Sequence, residues 1–482
     1  MFNKRIHRWL DRVGVPIACL SFAFAACKTP ALLTRTENRT LPAYFNNAQD
    51  STNTAKISWR SFFTDPTLVA LIDTALKNNQ ELNITTQELE IARNEVRTRQ
   101  GEYQPFVGLR GGAGVDKVGR YTLPGATVEA TEIKPGKSTP DPLPNLYGGA
   151  YATWEIDIWH KLRNAKKAAV NRYLASVEGR NFTVTNLISE IANSYYELLA
   201  LDNELEIVRQ NIEIQTNALR IVRIQKEATR VTELAVRRFE AQVLNTQNLQ
   251  YGIQQRIVET ENRINFLTGR YPQPVARNSQ NFNDLVPATM YVGLPSQLLA
   301  NRPDIRQAEQ ELEAARLDVK VAKARFYPSL GISANLGYMA FNPAYLLKTP
   351  ESLIFGLAGD LAGPLINKNA IIATYYSANA RQIQAVYNYE RTILNAYMEV
   401  ANQLAKINNL AKSYDVKAKE VQALTQSITI SNSLFNSARA DYMEVLLTQR
   451  DAQESRFDLI ETKMQQLNAV VNIYRALGGG WN

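Results

Sequence analysis

Side chains that commonly do chemistry are few in this chain and poorly placed for it. The two histidines, His7 and His160, lie far apart, so no histidine cluster exists to ligate a metal or to serve as a general base. Gly111-Gly112-Ala113-Gly114 lacks the lysine–serine pair and the following helix of a phosphate loop, and Gly478-Gly479-Gly480 reads as a helix stop. Carboxylates are abundant, but they recur at helical spacing and so describe a solvated face. The only cysteines, Cys19 and Cys27, are both near the N-terminus, and cysteine usage alone selects no compartment. These residues predict no catalytic group, no cofactor and no metal site. The chain has 482 residues and a net charge of +8. No basic run or aromatic–basic cluster accompanies that charge, which argues against a nucleic-acid partner.

Cys27 is the residue with a chemical expectation of its own. Residues 1–12 are basic, 13–26 are apolar, and Phe24-Ala25-Ala26 places small residues directly before Cys27. This pattern predicts a secretory signal peptide over 1–26, too short and wrongly flanked for a spanning helix. Its end resembles a bacterial lipobox, in which the cysteine is acylated and becomes the first mature residue. Phe24 stands where an aliphatic residue is usual, and the alternative is an ordinary secretory signal with an incidental Cys27. Lys4, Arg5, Arg8 and Arg12 against Asp11 contribute +3 of the net charge, so the mature chain carries +5, spread among charges of both signs.

The elements that follow come in two copies. Residues 71–105 and 294–328 align without a gap: Gln87-Glu88-Leu89-Glu90 recurs as Gln310-Glu311-Leu312-Glu313, and Pro105-Phe106-Val107-Gly108 recurs as Pro328-Ser329-Leu330-Gly331. In the second copy Ile305, Ala308, Leu312, Ala315, Val319, Ala322 and Phe326 alternate steps of three and four, a coiled-coil seam. Each copy stops at a proline and passes into two glycine- and tyrosine-rich alternating stretches, 106–115 with 147–158 and 330–339 with 353–361. Their lengths suit tilted membrane strands. The proline-rich residues 116–145 between the first two are expected to be loop. Residues 180–251 and 365–477 then run without glycine or proline and carry long apolar stripes. Each predicts a pair of antiparallel helices, turning near Glu227 and near Asn436, the longer ones about 100 Å in length. Further on, Leu267-Thr268-Gly269 aligns with Ala476-Leu477-Gly478. The organisation is a signal peptide over 1–26, a lipidated extended segment over 27–58, a first repeat over 59–270, a linker over 271–293 and a second repeat over 294–482. The fold class is mainly α with a membrane β-barrel, made of two helix-strand-strand-helix-helix repeats. Four strands cannot close a barrel, and an open edge is not tolerated in lipid, so several chains must pool their strands.

At this point the residues resemble a family. Trp59-Arg60-Ser61-Phe62-Phe63-Thr64-Asp65, Trp154-Glu155-Ile156-Asp157-Ile158-Trp159, Arg302-Pro303-Asp304-Ile305, Phe326-Tyr327-Pro328-Ser329 and the terminal Tyr474-Arg475-Ala476-Leu477-Gly478 occur in order across nearly the whole mature chain. Together they resemble the TolC-like outer-membrane efflux lipoproteins. The resemblance implies a homotrimer with a twelve-stranded barrel and a twelve-helix periplasmic tunnel. It also implies a passive channel served by a periplasmic adaptor and an inner-membrane pump, the latter of the RND type. Drug or small-molecule export is expected. Protein secretion, metal export, and a non-conducting coiled-coil scaffold are the alternatives.

In the family the tunnel closes at its periplasmic tip, around a motif matched here by Tyr442-Met443-Glu444-Val445-Leu446-Leu447. Leu447 replaces a second aspartate that is common there. Met443 and Leu447 are expected to form apolar closing rings on the threefold axis, and Glu444 an acidic ring. Trp154 and Trp159 are expected at the barrel rim. The leader supplies the first test. Mass spectrometry of the mature N-terminus is expected to find a diacylglyceryl group on Cys27, whereas a free Lys28 or Thr29 terminus would overturn the assignment.

Overall fold

The structure, a computed structural model, describes residues 29–45, 51–280, 282–437 and 439–481. Cys27 and the leader lie outside them. The elements in chain order are α1 (Trp59–Phe62), α2 (Pro66–Asn78), α3 (Gln80–Tyr103), β1 (Phe106–Asp116), α4 (Leu123–Ala130), β2 (Glu132–Lys134), β3 (Lys137–Ser138) and β4 (Leu143–Ile156). There follow α5 (Lys161–Glu227), α6 (Glu233–Leu267), α7 (Leu298–Asn301), α8 (Pro303–Ala324), β5 (Ser329–Ala340), β6 (Leu353–Ala362), α9 (Asn369–Asn436) and α10 (Tyr442–Ala476). The described residues divide into two compact units. One comprises Glu90–Leu174, Gln310–Tyr387 and the N-terminal residues up to Thr36; the other comprises Glu37–Leu89, Ala175–Glu309 and Asn388–Asn482.

The expectation of bare loop over 116–145 is corrected. Those residues include α4 and the β2–β3 hairpin. Thr122 Oγ1 accepts the Gly125 N–H at 3.2 Å, and Pro124 suits the first helical turn, where its missing N–H costs nothing. Gly136, at φ +75°, makes the hairpin turn, and its N–H donates to Glu132 at 2.9 Å. Capping and turn chemistry thus build short elements where composition alone indicates none.

The second unit is organised by two matching junctions. Just past its last residue α6 is turned back by Gly269 (φ +68°), and α10 likewise by Gly478 (φ +89°). In both, a 6→1 hydrogen bond closes the last turn: Arg270 N to Asn265 O at 2.9 Å and Gly479 N to Tyr474 O at 3.0 Å. The remaining carbonyls meet side chains from the helix breaks upstream. Asn79, between α2 and α3, donates from Nδ2 to Leu267 O at 2.9 Å. Arg302, between α7 and α8, donates from Nη1 to Ala476 O at 2.7 Å. A Cβ on either glycine would collide with a carbonyl oxygen, that of Asn78 or of Asn301.

Around these junctions lies the main core. The predicted stripes supply Ile191, Leu198, Leu201 and Val208 from α5 and Ile460, Leu467, Val471 and Tyr474 from α10, all buried together. Trp59, Phe63, Leu68 and Ile72 join them. Phe62 stacks on Tyr474 at 4.1 Å, whose hydroxyl donates to Ile57 O at 2.6 Å. Asp65 caps α2, accepting the Thr67 N–H at 2.8 Å, and also takes the Tyr195 hydroxyl at 2.6 Å. Burial, then that carboxylate, raises the pKa of Tyr195 and keeps its proton on.

In the first unit, β1, β4, β5 and β6 form one antiparallel sheet in that order. Register sorts its residues onto two faces. Leu361, Phe355, Leu336, Trp154, Val107 and Leu109 fall on one, joined through the pairs Leu336↔Phe355, Trp154↔Ile332, Ala152↔Val107 and Ala150↔Leu109. Leu109 is 86% exposed and Phe355 80%. The other face carries Arg110, Tyr147, Tyr151, Ser333, Asn335 and Asp360. The rings of Tyr147 and Tyr151 cover Gly112 and Gly108 of the neighbouring strand. At the β4–β5 seam, Gly149 faces Gly337 so closely that a Cβ on either would lie 2.6 or 2.7 Å from the other's Cα. The outer edges of β1 and β6 pair with no strand among the described residues.

The junctions carry a stability prediction. Gly478→Ala should lower the apparent Tm of the full chain in detergent, equivalent to about 2 kcal/mol or more, because alanine is strained at positive φ and has no space there. Gly252→Ala, in an exposed helical stretch with open space around it, should hold or raise Tm. Equal Tm values for the two variants would show that the junction tolerates a side chain.

Candidate functional site

The candidate entrance residues lie at two helical hairpins of the second unit. In each, the chain leaves a helix through the same kind of turn: Arg230 N bonds Gln225 O, and Arg439 N bonds Leu434 O, both at 2.8 Å. Thr229 takes φ 57° in the first. Buried Leu219, Val222, Val236 and Phe239 from that hairpin pack against Phe435, Tyr442 and Leu446 from the second.

The first turns of α10 hold all three sequence-predicted gate residues. Val445 is buried on the packed side. Met443, Leu447 and Glu444 follow one another around the opposite side, with Met443 half-buried and Glu444 and Leu447 exposed. Leu447 is 41% exposed, a large apolar side chain left open beside a carboxylate. Glu444 takes part in the helix through its backbone: its N–H donates to Asp441 O at 3.1 Å, and its carbonyl accepts the Thr448 hydroxyl at 2.7 Å. Asp441 stands at the N-cap position but makes no side-chain capping bond.

One neighbour is new. Arg238 Nη1 donates to Met443 Sδ at 2.8 Å, so a cation from the first hairpin sits against the predicted apolar ring residue. A signal for it was present in the sequence: at the offset that aligns Leu267-Thr268-Gly269 with Ala476-Leu477-Gly478, Leu234 falls opposite Met443 and Arg238 opposite Leu447. The first hairpin is further tied by ion pairs. Lys226 reaches across the turn to Glu233 at 2.9 Å, and Arg237 pairs with Glu233 and Glu240, each at 2.9 Å. The Lys226 hydrogen bond and charge hold the Glu233 carboxyl below the usual carboxylate range.

Other expected features have defined places. Trp154 donates from Nε1 to Tyr103 O at 3.1 Å, and Trp159 to Pro328 O at 2.7 Å while stacking on Tyr327 at 4.8 Å. Both indoles thus bridge strand ends to helix ends. No group of three or more His, Cys, Asp or Glu able to hold a metal occurs among the described residues. Nor is any described helix long and apolar enough to cross a membrane, which says nothing of the sheet.

Comparison with known proteins agrees with this architecture. The family model described as outer membrane efflux protein matches residues 71–270 and 294–479, one stretch for each repeat-bearing half. The pyoverdine export outer membrane protein OpmQ of Pseudomonas aeruginosa is 28% identical over 423 residues, 88% of this chain and 87% of its own. The probable outer membrane lipoprotein SilC of Salmonella typhimurium is 26% identical over 479 residues, 98% of both chains. A crystal structure of CusC, solved in work on folding and transmembrane channel formation, superposes with a TM-score of 0.81 at 24% identity, over 93% of this chain and 99% of that one. With the two-faced sheet and the paired long helices, these matches give the identity: the chain belongs to the outer membrane efflux protein family, an outer-membrane channel family and not an enzyme family.

Proposed function

We propose that this chain is the outer-membrane duct of a tripartite efflux pump, passive in itself and exporting small molecules. Three copies each contribute β1, β4, β5 and β6 to one twelve-stranded barrel, and their long helices to a tunnel on the periplasmic side. The observation that carries this reading is the sheet: one face apolar and exposed, and both edges unpaired among the described residues. In lipid such edges must be satisfied by further strands, and four strands are too few to close. A periplasmic adaptor and an RND-type inner-membrane pump supply cargo and energy. OpmQ, named for pyoverdine export, favours a small-molecule cargo over a protein.

The remaining assignments belong to the same proposal. Residues 1–26 are a signal peptide, Cys27 is the lipidated first mature residue of an extended segment to residue 58, and a linker over 271–293 joins the repeats 59–270 and 294–482. At the tunnel entrance, three copies of Met443 and Leu447 form apolar closing rings and three copies of Glu444 an acidic one that draws cations.

Two measurements test this reading. Native mass spectrometry in detergent is expected to give three chains per particle, and a monomer that conducts in a planar bilayer would refute the pooled barrel. Glu444→Gln is expected to lower the cation preference of the channel in bilayer recordings and to relieve block by trivalent cations. Selectivity and block unchanged from the wild type would place the gate elsewhere.

A further inference from the structure

The first unit contains a cleft of about 520 Å³ between α5, α8 and α9, all of whose lining residues belong to that unit. Arg172, Arg325 and Arg381 surround it, and Asp318 is the carboxylate among its lining residues. Asp318 is already paired with Arg172. The other two guanidinium groups are exposed, and no ion pair or hydrogen bond joins either to another described residue. Its floor is small and apolar, the buried Ala322 and Ala378 with Ala315 and Val321 beside them, and Thr374 and Ser377 add hydroxyls to the lining. The size is that of a small-molecule site.

One lining residue ties the cleft to the end of the sheet. Arg325 also borders a smaller cavity, about 220 Å³, together with Glu155 and Ser329, which lie on the polar face of the sheet. Beside the cleft, α8 and α9 bury Ala322, Phe326, Tyr375 and Ala378 in one cluster, against which Val319, Ile371 and Leu32 of the N-terminal segment pack. None of the three arginines belongs to that cluster, and Arg325 and Arg381 remain exposed.

We propose that this cleft is a subsite for amphipathic anionic cargo: an organic carboxylate, sulfonate or phosphate whose apolar body rests on the alanine floor. The proposal deepens the duct reading and rests on it, because the polar face is the inner one only if the sheet closes into a barrel. The Arg325 and Arg381 guanidinium groups, unpaired among the described residues, offer forked donors matched to a planar or tetrahedral oxyanion, and the third neutralises the local carboxylate, which would otherwise repel one. A small floor leaves room for a ring or a short alkyl chain, which an ion site with no affinity for organic cargo would not require.

The test uses the full chain in non-ionic detergent and two probes with one body, 2-naphthalenesulfonate and 2-naphthyltrimethylammonium, titrated calorimetrically against a detergent blank. Saturable binding of the sulfonate and not of the ammonium is expected. Arg325→Gln and Arg381→Gln should each weaken sulfonate binding by about tenfold or more, the scale of a lost charge-assisted hydrogen bond. Arg381→Lys, which keeps the charge and loses the fork, should fall between. Equal binding of both probes, or sulfonate affinity unchanged in the Arg325→Gln/Arg381→Gln pair, overturns the subsite. Conductance of the same preparation reports on the duct separately, so a conducting chain without arginine-dependent sulfonate binding condemns the subsite alone.

Discussion

The ends of α6 and α10 leave carbonyl groups that water would otherwise have to satisfy beside a packed core, and each junction is built to satisfy them. In each repeat a glycine turns the chain back, and a side chain at a helix break supplies the missing donor: Asn79 to Leu267, Arg302 to Ala476. The breaks themselves follow from this. α2 cannot run on into α3, nor α7 into α8, without removing those donors from the carbonyls they serve.

The two junctions share geometry but differ in chemistry. Asn79 is neutral and turns its Oδ1 to cap α3 through Leu82 N at 2.9 Å. Arg302 is buried and charged, and it is held by Asp304 at 2.8 Å and by Glu399 at 2.9 Å, with Arg475 also on Glu399. Removing one member of such a network leaves an uncompensated buried charge, so the second junction is the less forgiving one. The first unit follows a different rule: its strands are held by register and by tyrosine rings over glycines, and its organising constraint is the contrast between its faces.

Much of this was legible in the sequence. α3 stops just before Pro105, α8 stops at Ala324 and so leaves the expected seam residue Phe326 in the turn before Pro328, the glycine-tyrosine alternation marks the strands, and the stripe from Ile191 to Val208 lies buried as its spacing predicts. What was not legible depends on partners distant in the chain. α4 is too short for periodicity to register, and its capping by Thr122 is masked by the surrounding glycines and prolines. Asn79 looks like any polar residue until Leu267 O is beside it. Arg238 touches Met443 from 205 residues away, and only the repeat alignment hinted that a residue there mattered. The guanidinium cleft draws on three helices, so its arginines look scattered along the chain.

Gly149 and Gly337 sit one in each repeat and face each other where the two halves of the sheet join. Because neither leaves room for the other to carry a Cβ, the repeats cannot diverge independently at this seam. An alanine at one position forces the strands apart, and a second at the opposite position enters space already opened. The two costs are therefore less than additive, and two positions from different repeats behave as a single genetic unit.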